Sequence, residues 1–328
     1  MQLQTKRCAA AIGLSVALGI GFALSVQEAA ADFPDQPITL VVGSAPGSAP
    51  DTLARIIAEE MSQILGQPVV TDNRPGAAGA IAAGSVARSD PDGYTMMMMT
   101  AVHSISPTTR SDLNYSFVDD FEGVGMVASV PLLFVVNNDL ETTDMPGFIE
   151  RAKQGDIFYS TPGVGTLQHL STEDFAKKVG IEMTMVPYKG GGNATKAVLA
   201  NEVQLFFAGI PPALPHVVSG SLTALGISTP ERSPVLHDVP TFQELGFEDY
   251  NVDNWHALYV PAGTPADVVS KLSDALNATL AKPETAQSFL NVGATPSPSS
   301  PEAQTAFGHS EVARWKKIVE DTNIDLGK

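Results

Sequence analysis

Loops of small residues that precede helical patterns are the parts of this chain whose residue types could do chemistry. The first such loop, residues 43–51, follows an apolar run over residues 38–42 and leads into an amphipathic helix that ends at Gly66. A helix start carries unpaired backbone N–H groups and a partial positive charge, so it can hold a carboxylate or a phosphate. An ordinary strand–helix turn is the simpler explanation for this loop taken alone.

The same pattern recurs at residues 161–166 and 189–194, each time ahead of another helical pattern. We predict two lobes, the first made of residues 32–127 and 256–328 and the second of residues 128–255. The first loop then lies on one lobe and the other two loops lie on the second. A ligand held between the lobes meets helix starts from both sides, and closure about two crossing segments is the motion that such a cleft permits.

Single polar side chains near these loops add weaker signals. His103 and His169 follow small-residue loops and could donate to a ligand oxygen, although a lone histidine is more often structural. Lys189 could contribute charge, although a solvated lysine is the commoner outcome. Asp51 lies in the first turn of the first helix, where it most simply closes a turn or stabilises the helix start. Thr100 is counted with them as a candidate ligand residue.

Composition and spacing exclude several functional classes. The chain has 328 residues, with 19 basic and 36 acidic side chains and a net charge of −17, so its surface repels nucleic acid and anionic lipid. The only cysteine is Cys8, which leaves no cysteine for a disulfide or a metal centre in the rest of the chain. The six histidines lack metal-site spacing, and no dinucleotide fingerprint, P-loop or G-x-S-x-G motif is complete. We expect neither a metal nor a cofactor.

The first 31 residues are typical of a cleavable secretory signal peptide. Lys6 and Arg7 precede an apolar run over residues 9–26, and the alanines at 29–31 offer a cleavage site. No other stretch is long and apolar enough to span a bilayer. We therefore expect a soluble, monomeric protein in the periplasm.

Strand-like and helix-like patterns alternate along the rest of the chain, which predicts an α/β fold with mostly parallel sheets. One long strand is predicted at residues 126–136 and one small-residue helix at residues 77–88. Further helices are predicted at residues 265–280 and 301–322. The four methionines at residues 96–99 fall within a strand pattern, where we expect them to fill the core rather than bind a metal.

An ordered series of short motifs resembles a known family. The motifs are Phe33-Pro34-Asp35-Gln36-Pro37-Ile38, Ala45-Pro46-Gly47, Leu65-Gly66-Gln67-Pro68-Val69-Val70, Asn73-Arg74-Pro75-Gly76-Ala77-Ala78-Gly79, Pro91-Asp92-Gly93-Tyr94-Thr95, Val186-Pro187-Tyr188-Lys189-Gly190 and Pro261-Ala262-Gly263-Thr264-Pro265. Together they resemble the Bug family, the periplasmic substrate-binding components of tripartite tricarboxylate transporters. The resemblance implies a two-lobed periplasmic binding protein fold of type II-like architecture. It also implies a small carboxylate ligand and delivery of that ligand to the membrane permease subunits.

The resemblance also nominates ligand-binding residues, because the strand–helix loops of both lobes clamp carboxylates in this family. The family uses backbone amides, hydroxyls and ordered water for this purpose. The matching positions are Ser44, Ala45, Gly47 and Ser48 in the first loop, Ser160, Thr161, Gly163 and Thr166 in the second, and Lys189, Gly190 and Gly191 in the third.

The chain departs from the family pattern at positions that bear on the ligand. Ser48 replaces a glycine, and Pro50 directly precedes Asp51. The usual V-D-x-x-x-D stretch stands here as residues 203–208, and both acidic positions are lost. An acidic group at the position of Ala208 could pair with a ligand ammonium. We therefore expect a di- or tricarboxylate rather than an amino acid.

Two alternative functions stay open at this point. The chain could be an exported hydrolase of small esters or amides, with His103 or His169 as its base; the candidate nucleophiles are Ser44, Ser48 and Ser160. It could also be a ligand-sensing receptor that acts on a signalling partner. Nothing in the spacing of these residues favours the hydrolase, so we expect a receptor without catalytic residues.

Overall fold

The structure, a computed structural model, describes residues 33–188, 190–248 and 250–322. The predicted signal peptide at residues 1–31 and the predicted ligand residue Lys189 lie outside these ranges. None of the helices in the described ranges combines the length and the apolar character that a membrane crossing needs.

Strands and helices alternate along the described residues. The strands are β1 (Ile38–Val42), β2 (Val69–Asn73), β3 (Thr95–Thr100), β4 (Phe121–Ser129), β5 (Leu132–Asn137), β6 (Phe158–Thr161), β7 (Thr184–Pro187), β8 (Leu205–Gly209), β9 (Leu222–Ile227), β10 (His256–Pro261) and β11 (Thr295–Pro296). The α-helices are α1 (Ala49–Leu65), α2 (Ala80–Val86), α3 (Ala101–Thr109), α4 (Met145–Ala152), α5 (Leu167–Val179), α6 (Gly191–Leu199), α7 (Ile210–Val218), α8 (Ala266–Leu280), α9 (Pro283–Asn291) and α10 (Pro301–Thr322). Short 3-10 turns occupy Ala77–Gly79 and Asn138–Leu140.

The strands form two sheets, one in each lobe. The first sheet has the order β11-β4-β10-β3-β1-β2 and the second has the order β7-β6-β8-β5-β9. Most strands of each sheet run in one direction, as expected, but β10 runs antiparallel to β3 and β4, and β5 runs antiparallel to β8 and β9. Both β5 and β10 begin where the chain has just arrived from the other lobe. They must therefore start at the sheet edge where the strands that lead into helices end. For that reason they run in the direction opposite to those strands.

The predicted strand at residues 126–136 is two strands, β4 and β5, in different sheets. Val130 and Pro131 join them, and Pro131 has no N–H to continue a ladder. The chain returns to the first sheet through Asp253, whose side chain accepts a hydrogen bond from the Val130 N–H at 3.0 Å. Pro131 and Asp253 also form a single antiparallel bridge. These two crossing segments bind each other, and we adopt the predicted lobe boundaries beside them as a proposal.

The four methionines at residues 96–99 lie in the core, as the sequence predicts. Met96, Met97, Met98 and Met99 are all at most 1% exposed. Alternate side chains on β3 point to opposite faces of the sheet, so Met97 and Met99 pack in one apolar cluster and Met96 and Met98 in another. The first of these clusters also contains Phe134 and Phe207 of the second sheet, so the two lobes share part of one core.

The first helix ends where the sequence predicts. Buried Leu53, Ile57 and Met61 recur every four residues along α1 and face the sheet. Gly66 caps the helix with a left-handed φ of +71°, and its N–H donates to the Ser62 carbonyl at 3.0 Å. The start of α1 follows β1 and lies at the sheet edge that faces the second lobe.

Candidate ligand-binding site

The part of the first loop that precedes α1, residues 43–48, is held in place by the buried carboxylate of Asp51. Asp51 is 2% exposed and accepts hydrogen bonds from the Gly47 N–H at 2.8 Å and from Asn73 Nδ2 at 2.9 Å. Arg55 forms an ion pair with it at 2.9 Å. Burial raises the pKa of Asp51, but hydrogen bonds from Arg55, Gly47 and Asn73 outweigh that effect, so the pKa lies below its usual value. Asp51 thus joins the loop, the helix and β2 through these contacts, which supports a positioning role.

The start of α1 offers fewer amide donors than its sequence suggests. Pro50 has no N–H, and Asp51 places a negative charge in the first turn. Ser48 precedes the helix, but its hydroxyl forms no bond to the first turn; Ser48 Oγ lies 2.6 Å from Ser44 Oγ. Ala45 is exposed, and its carbonyl accepts the Ser48 N–H at 3.2 Å. Hydroxyls, rather than helix-start amides, are the donors that this loop presents.

A tight turn at residues 76–79 forms the opposite side of the site. Ala77 and Ala78 have φ angles of +48° and +55°, a left-handed conformation that costs alanine roughly 1–2 kcal/mol per residue. Gly79 packs directly against Gly43, where an added Cβ would lie 2.8 Å from the Gly79 Cα. Strain of this kind persists where the surroundings enforce it, as they do beside a ligand site.

His103 lies under this turn, in the first turn of α3. The ring is 3% exposed, and its Nδ1 accepts the Thr100 N–H at 3.0 Å. Nδ1 is therefore the unprotonated nitrogen of the neutral ring, and Nε2 carries the hydrogen. Nε2 is buried against the backbone of Gly79, where an added Cβ would lie 2.6 Å from it, and it forms no hydrogen bond of good geometry among the described residues. Burial lowers the pKa of His103 to about 4, against smaller opposing effects of backbone hydrogen bonds with Thr100 and Gly79, so the ring is neutral at neutral pH.

Three of the predicted ligand residues line one cavity of about 240 Å³ in the first lobe. They are Ser44, Thr100 and His103, and the other lining residues are Gly43, Pro50, Ala78, Met98 and Val102. At about 30 Å³ per molecule this space holds roughly eight waters, which suits a small ligand. Ala78 and Val102 were not predicted as lining residues, because the turn that places Ala78 there depends on contacts between distant segments.

The second loop is internally hydrogen-bonded. Thr161 Oγ1 donates to the Gly163 carbonyl at 3.0 Å and lies 3.0 Å from Thr166 Oγ1. Thr166 caps α5 by accepting the His169 N–H, and His169 Nδ1 accepts the Gly165 N–H at 3.0 Å. Burial lowers the pKa of His169 to about 4. The structure thus gathers Thr161, Gly163, Thr166 and His169 into one compact loop.

This second loop does not line the first-lobe cavity within the described ranges. It lies against the far end of α3, because a Cβ on Gly165 would lie 3.3 Å from Thr109 Cβ. Thr100 and His103 sit at the other end of the same helix. The predicted residues of the two lobes are therefore linked through α3 but do not meet.

The remaining predicted residues lie on the second lobe. Ser160 is fully buried and donates to the Ala194 carbonyl at 3.1 Å, which ties β6 to α6. Gly190 precedes α6 with a left-handed φ of +86°, and Gly191 begins that helix. Ala208 on β8 is fully buried in an apolar cluster. As ligand contacts, these residues stay predictions.

His256 was missed by the sequence analysis. It is 1% exposed at the start of β10, beside Thr100 in the ladder, and its Nδ1 is buried without a hydrogen-bond partner in the part of the chain that the structure describes. Burial lowers the pKa of His256 to about 4. A second unpartnered histidine nitrogen therefore lies close to the cavity, and no short motif around residue 256 signals it.

The site shows none of the geometry that the hydrolase alternative requires. Among the described residues, no hydrogen bond joins Ser44, Ser48 or Ser160 to a histidine ring, and the rings of His103 and His169 are oriented by backbone amides rather than carboxylates. Within the same ranges, no group of three or more potential metal ligands occurs.

The chain is similar to proteins of one family over nearly its whole length. Residues 53–324 match the family described as "Tripartite tricarboxylate transporter family receptor". Protein BugT of Bordetella pertussis is 33% identical, over 99% of this chain and 100% of BugT. An R. palustris protein solved with adipate is 33% identical, with a TM-score of 0.78 over 89% of this chain and 99% of that one. MatC from Rhodopseudomonas palustris, solved with bound malate, is 29% identical, with a TM-score of 0.72 over 88% and 100%. This chain therefore belongs to the Bug family of tripartite tricarboxylate transporter receptors.

Proposed function

We propose that this chain is a periplasmic receptor that binds a small di- or tricarboxylate and delivers it to the permease of a tripartite transporter. The observation that carries the proposal is the first-lobe cavity lined by His103, whose buried Nε2–H forms no hydrogen bond of good geometry among the described residues. Leaving such a donor unpaired costs about 1–3 kcal/mol, and a ligand carboxylate would remove that cost. Ser44 and Thr100 add hydroxyl groups to the same cavity.

The second lobe completes the site by closing over it. Its loop at residues 161–166 already contacts α3, so rotation about the crossing segments brings Thr161 and Thr166 toward a ligand held by His103. Three or four charge-assisted hydrogen bonds at roughly 1.5–3 kcal/mol each are enough for micromolar affinity. The relatives solved with adipate and malate support a dicarboxylate in particular.

The apolar surroundings of Ala208 support a plain carboxylate over an amino acid. Ala208 packs among apolar side chains, including Leu133, which it faces across the ladder. An ammonium placed there would lose its hydration without gaining a charged partner. Export to the periplasm rests on the predicted signal peptide and on the family.

Ligand screening tests this function. The purified protein is titrated calorimetrically with adipate, malate, citrate and aspartate, and its melting temperature is measured with each. We expect at least one di- or tricarboxylate to bind, and the His103→Phe variant to lose roughly 10-fold or more in affinity, because a hydrogen bond to a charged group is removed. The matched control is His309→Phe on α10, which leaves the cavity unchanged. If no carboxylate binds, or if His103→Phe binds as well as His309→Phe, the proposal is wrong.

A further inference from the structure

A second cavity, of about 560 Å³, lies between the lobes. Its lining residues are Ser129, Pro131, Thr229, Pro230, Glu231, Arg232, Ser233, Pro234, Thr295, Pro296 and Ser297. Residues 229–234 follow β9 of the second sheet, whereas residues 295–297 belong to β11 and its continuation in the first sheet. Ser129 and Pro131 belong to the crossing segment. We call this space the rear cavity.

The rear cavity and the ligand site lie on opposite sides of the crossing strands. In the first sheet, β4 and β10 separate β11 from β3 and β1, whose ends carry the ligand-site residues. In the second sheet, β5 separates β9 from β8, β6 and β7. The hydrogen bond from the Val130 N–H to Asp253 joins the two crossing segments between these spaces. A rotation of the lobes about those segments that narrows the ligand site must therefore widen the rear cavity, and the reverse rotation must narrow it.

The walls of the rear cavity are stiff enough to transmit such a rotation. Four of the lining residues named above are prolines, whose φ angles are fixed. Arg232 Nε donates to the Glu244 carboxylate at 2.8 Å, and Arg232 Nη1 donates to the His237 carbonyl at 2.7 Å. On the opposite wall, the Ser297 N–H donates to the Val127 carbonyl at 3.2 Å. Loops tied in this way move with their lobes rather than absorbing the motion.

We propose that the rear cavity controls lobe closure, so that a group filling it holds the ligand cleft closed and strengthens ligand binding. This inference rests on the proposed receptor function. Opening the ligand cleft narrows the rear cavity, and a bulky side chain placed there resists that narrowing. The coupling acts on the equilibrium between open and closed forms without any contact to the ligand.

Two tryptophan variants test the proposal from opposite walls. Thr295 and Glu231 are both exposed and line the cavity, so Thr295→Trp fills it from the first lobe and Glu231→Trp from the second. We expect each variant to bind the carboxylate found in the screen at least about fivefold more tightly, the lower end of typical allosteric coupling. Small-angle scattering of the ligand-free variants should show a smaller radius of gyration. The control is Val218→Trp on α7, at a position 73% exposed and outside the rear cavity.

The outcomes separate this proposal from the receptor function. If no carboxylate binds the wild-type protein, the scattering comparison still reports closure in the ligand-free variants. Circular dichroism establishes that each variant is folded, and either folded variant is sufficient for the test. Scattering and affinity equal to those of Val218→Trp, or weaker binding in a folded cavity variant, would overturn the proposal.

Discussion

The Asp51 carboxylate should be the main support of the first ligand loop, and Asp51→Ala tests that role. The Gly47 N–H and the Asn73 amide each lose a hydrogen bond to a charged acceptor, at about 1–1.5 kcal/mol apiece, since both groups regain some contact with water. Arg55 is 53% exposed, so its ion pair adds little to stability. We expect Asp51→Ala to lower the free energy of unfolding by about 3 kcal/mol, which lowers the melting temperature by about 6 °C.

Calorimetric unfolding measures this loss, and a matched variant calibrates it. Asp112 also pairs with an arginine, Arg110, but it is 68% exposed, so Asp112→Ala should lower stability much less than Asp51→Ala does. Hydrogen exchange at the Gly47 amide should accelerate in Asp51→Ala alone. Equal stability of the two variants, or unchanged exchange at Gly47, would mean that something else holds the loop.

The same variant separates a positioning role from a ligand contact. If Asp51 only positions the loop that carries Ser44, its removal should weaken carboxylate binding, by about tenfold if one hydrogen bond is misplaced. If Asp51 instead faced the ligand, removing its negative charge would relieve repulsion between two carboxylates and strengthen binding. Titration of Asp51→Ala with the ligand found in the screen decides between these two directions.

Three further predictions concern the cavity, the second loop and pH. Gly79→Ala should weaken ligand binding more than Gly220→Ala does. Both glycines have a positive φ, but only at Gly79 would an added Cβ lie 2.6 Å from His103 Nε2. Equal ligand affinities of the two variants would contradict this prediction. Thr161→Ala should weaken binding in calorimetry while the circular dichroism spectrum stays unchanged, and unaltered affinity would remove Thr161 from the site. Stability should fall as the pH drops from about 6.5 to about 4, because unfolded histidines bind protons in this window while His103 and the two other buried histidines stay neutral. Denaturant titrations across this range measure the effect, which for His103 is about 3 kcal/mol, and a flat profile would contradict it.

Local signals in the sequence predicted the elements that local physics determines. The end of α1 depends on an apolar period and on Gly66, both visible in a short window. Strand direction does not depend on such a window. β5 and β10 look like any apolar run, and their antiparallel pairing follows only from where the chain crosses between the lobes. For the same reason the sequence predicted one strand at residues 126–136, although the chain breaks there into β4 and β5 at Val130 and Pro131.

The candidate site shows the same division between local and distant causes. The small residues of the first loop predicted a ligand-binding segment, and Ser44 does line the cavity. The turn at residues 77–79 could not be predicted, because alanines at 77 and 78 favour a helix and adopt left-handed angles only within the assembled fold. Likewise, no motif could show that His256 lies beside Thr100 with a nitrogen unpaired.

Among the candidate hydrogen-bond donors of the cavity, His103 matters more for ligand binding than the start of α1 does. Pro50 and Asp51 weaken the start of α1 as an anion site, whereas His103 is held by the Thr100 amide and its buried Nε2 forms no hydrogen bond of good geometry among the described residues. A donor fixed in this way loses little entropy on binding, and low local polarity strengthens its hydrogen bond to a carboxylate. Affinity should therefore depend on the two glycines, Gly43 and Gly79, that let the backbone pack around this ring.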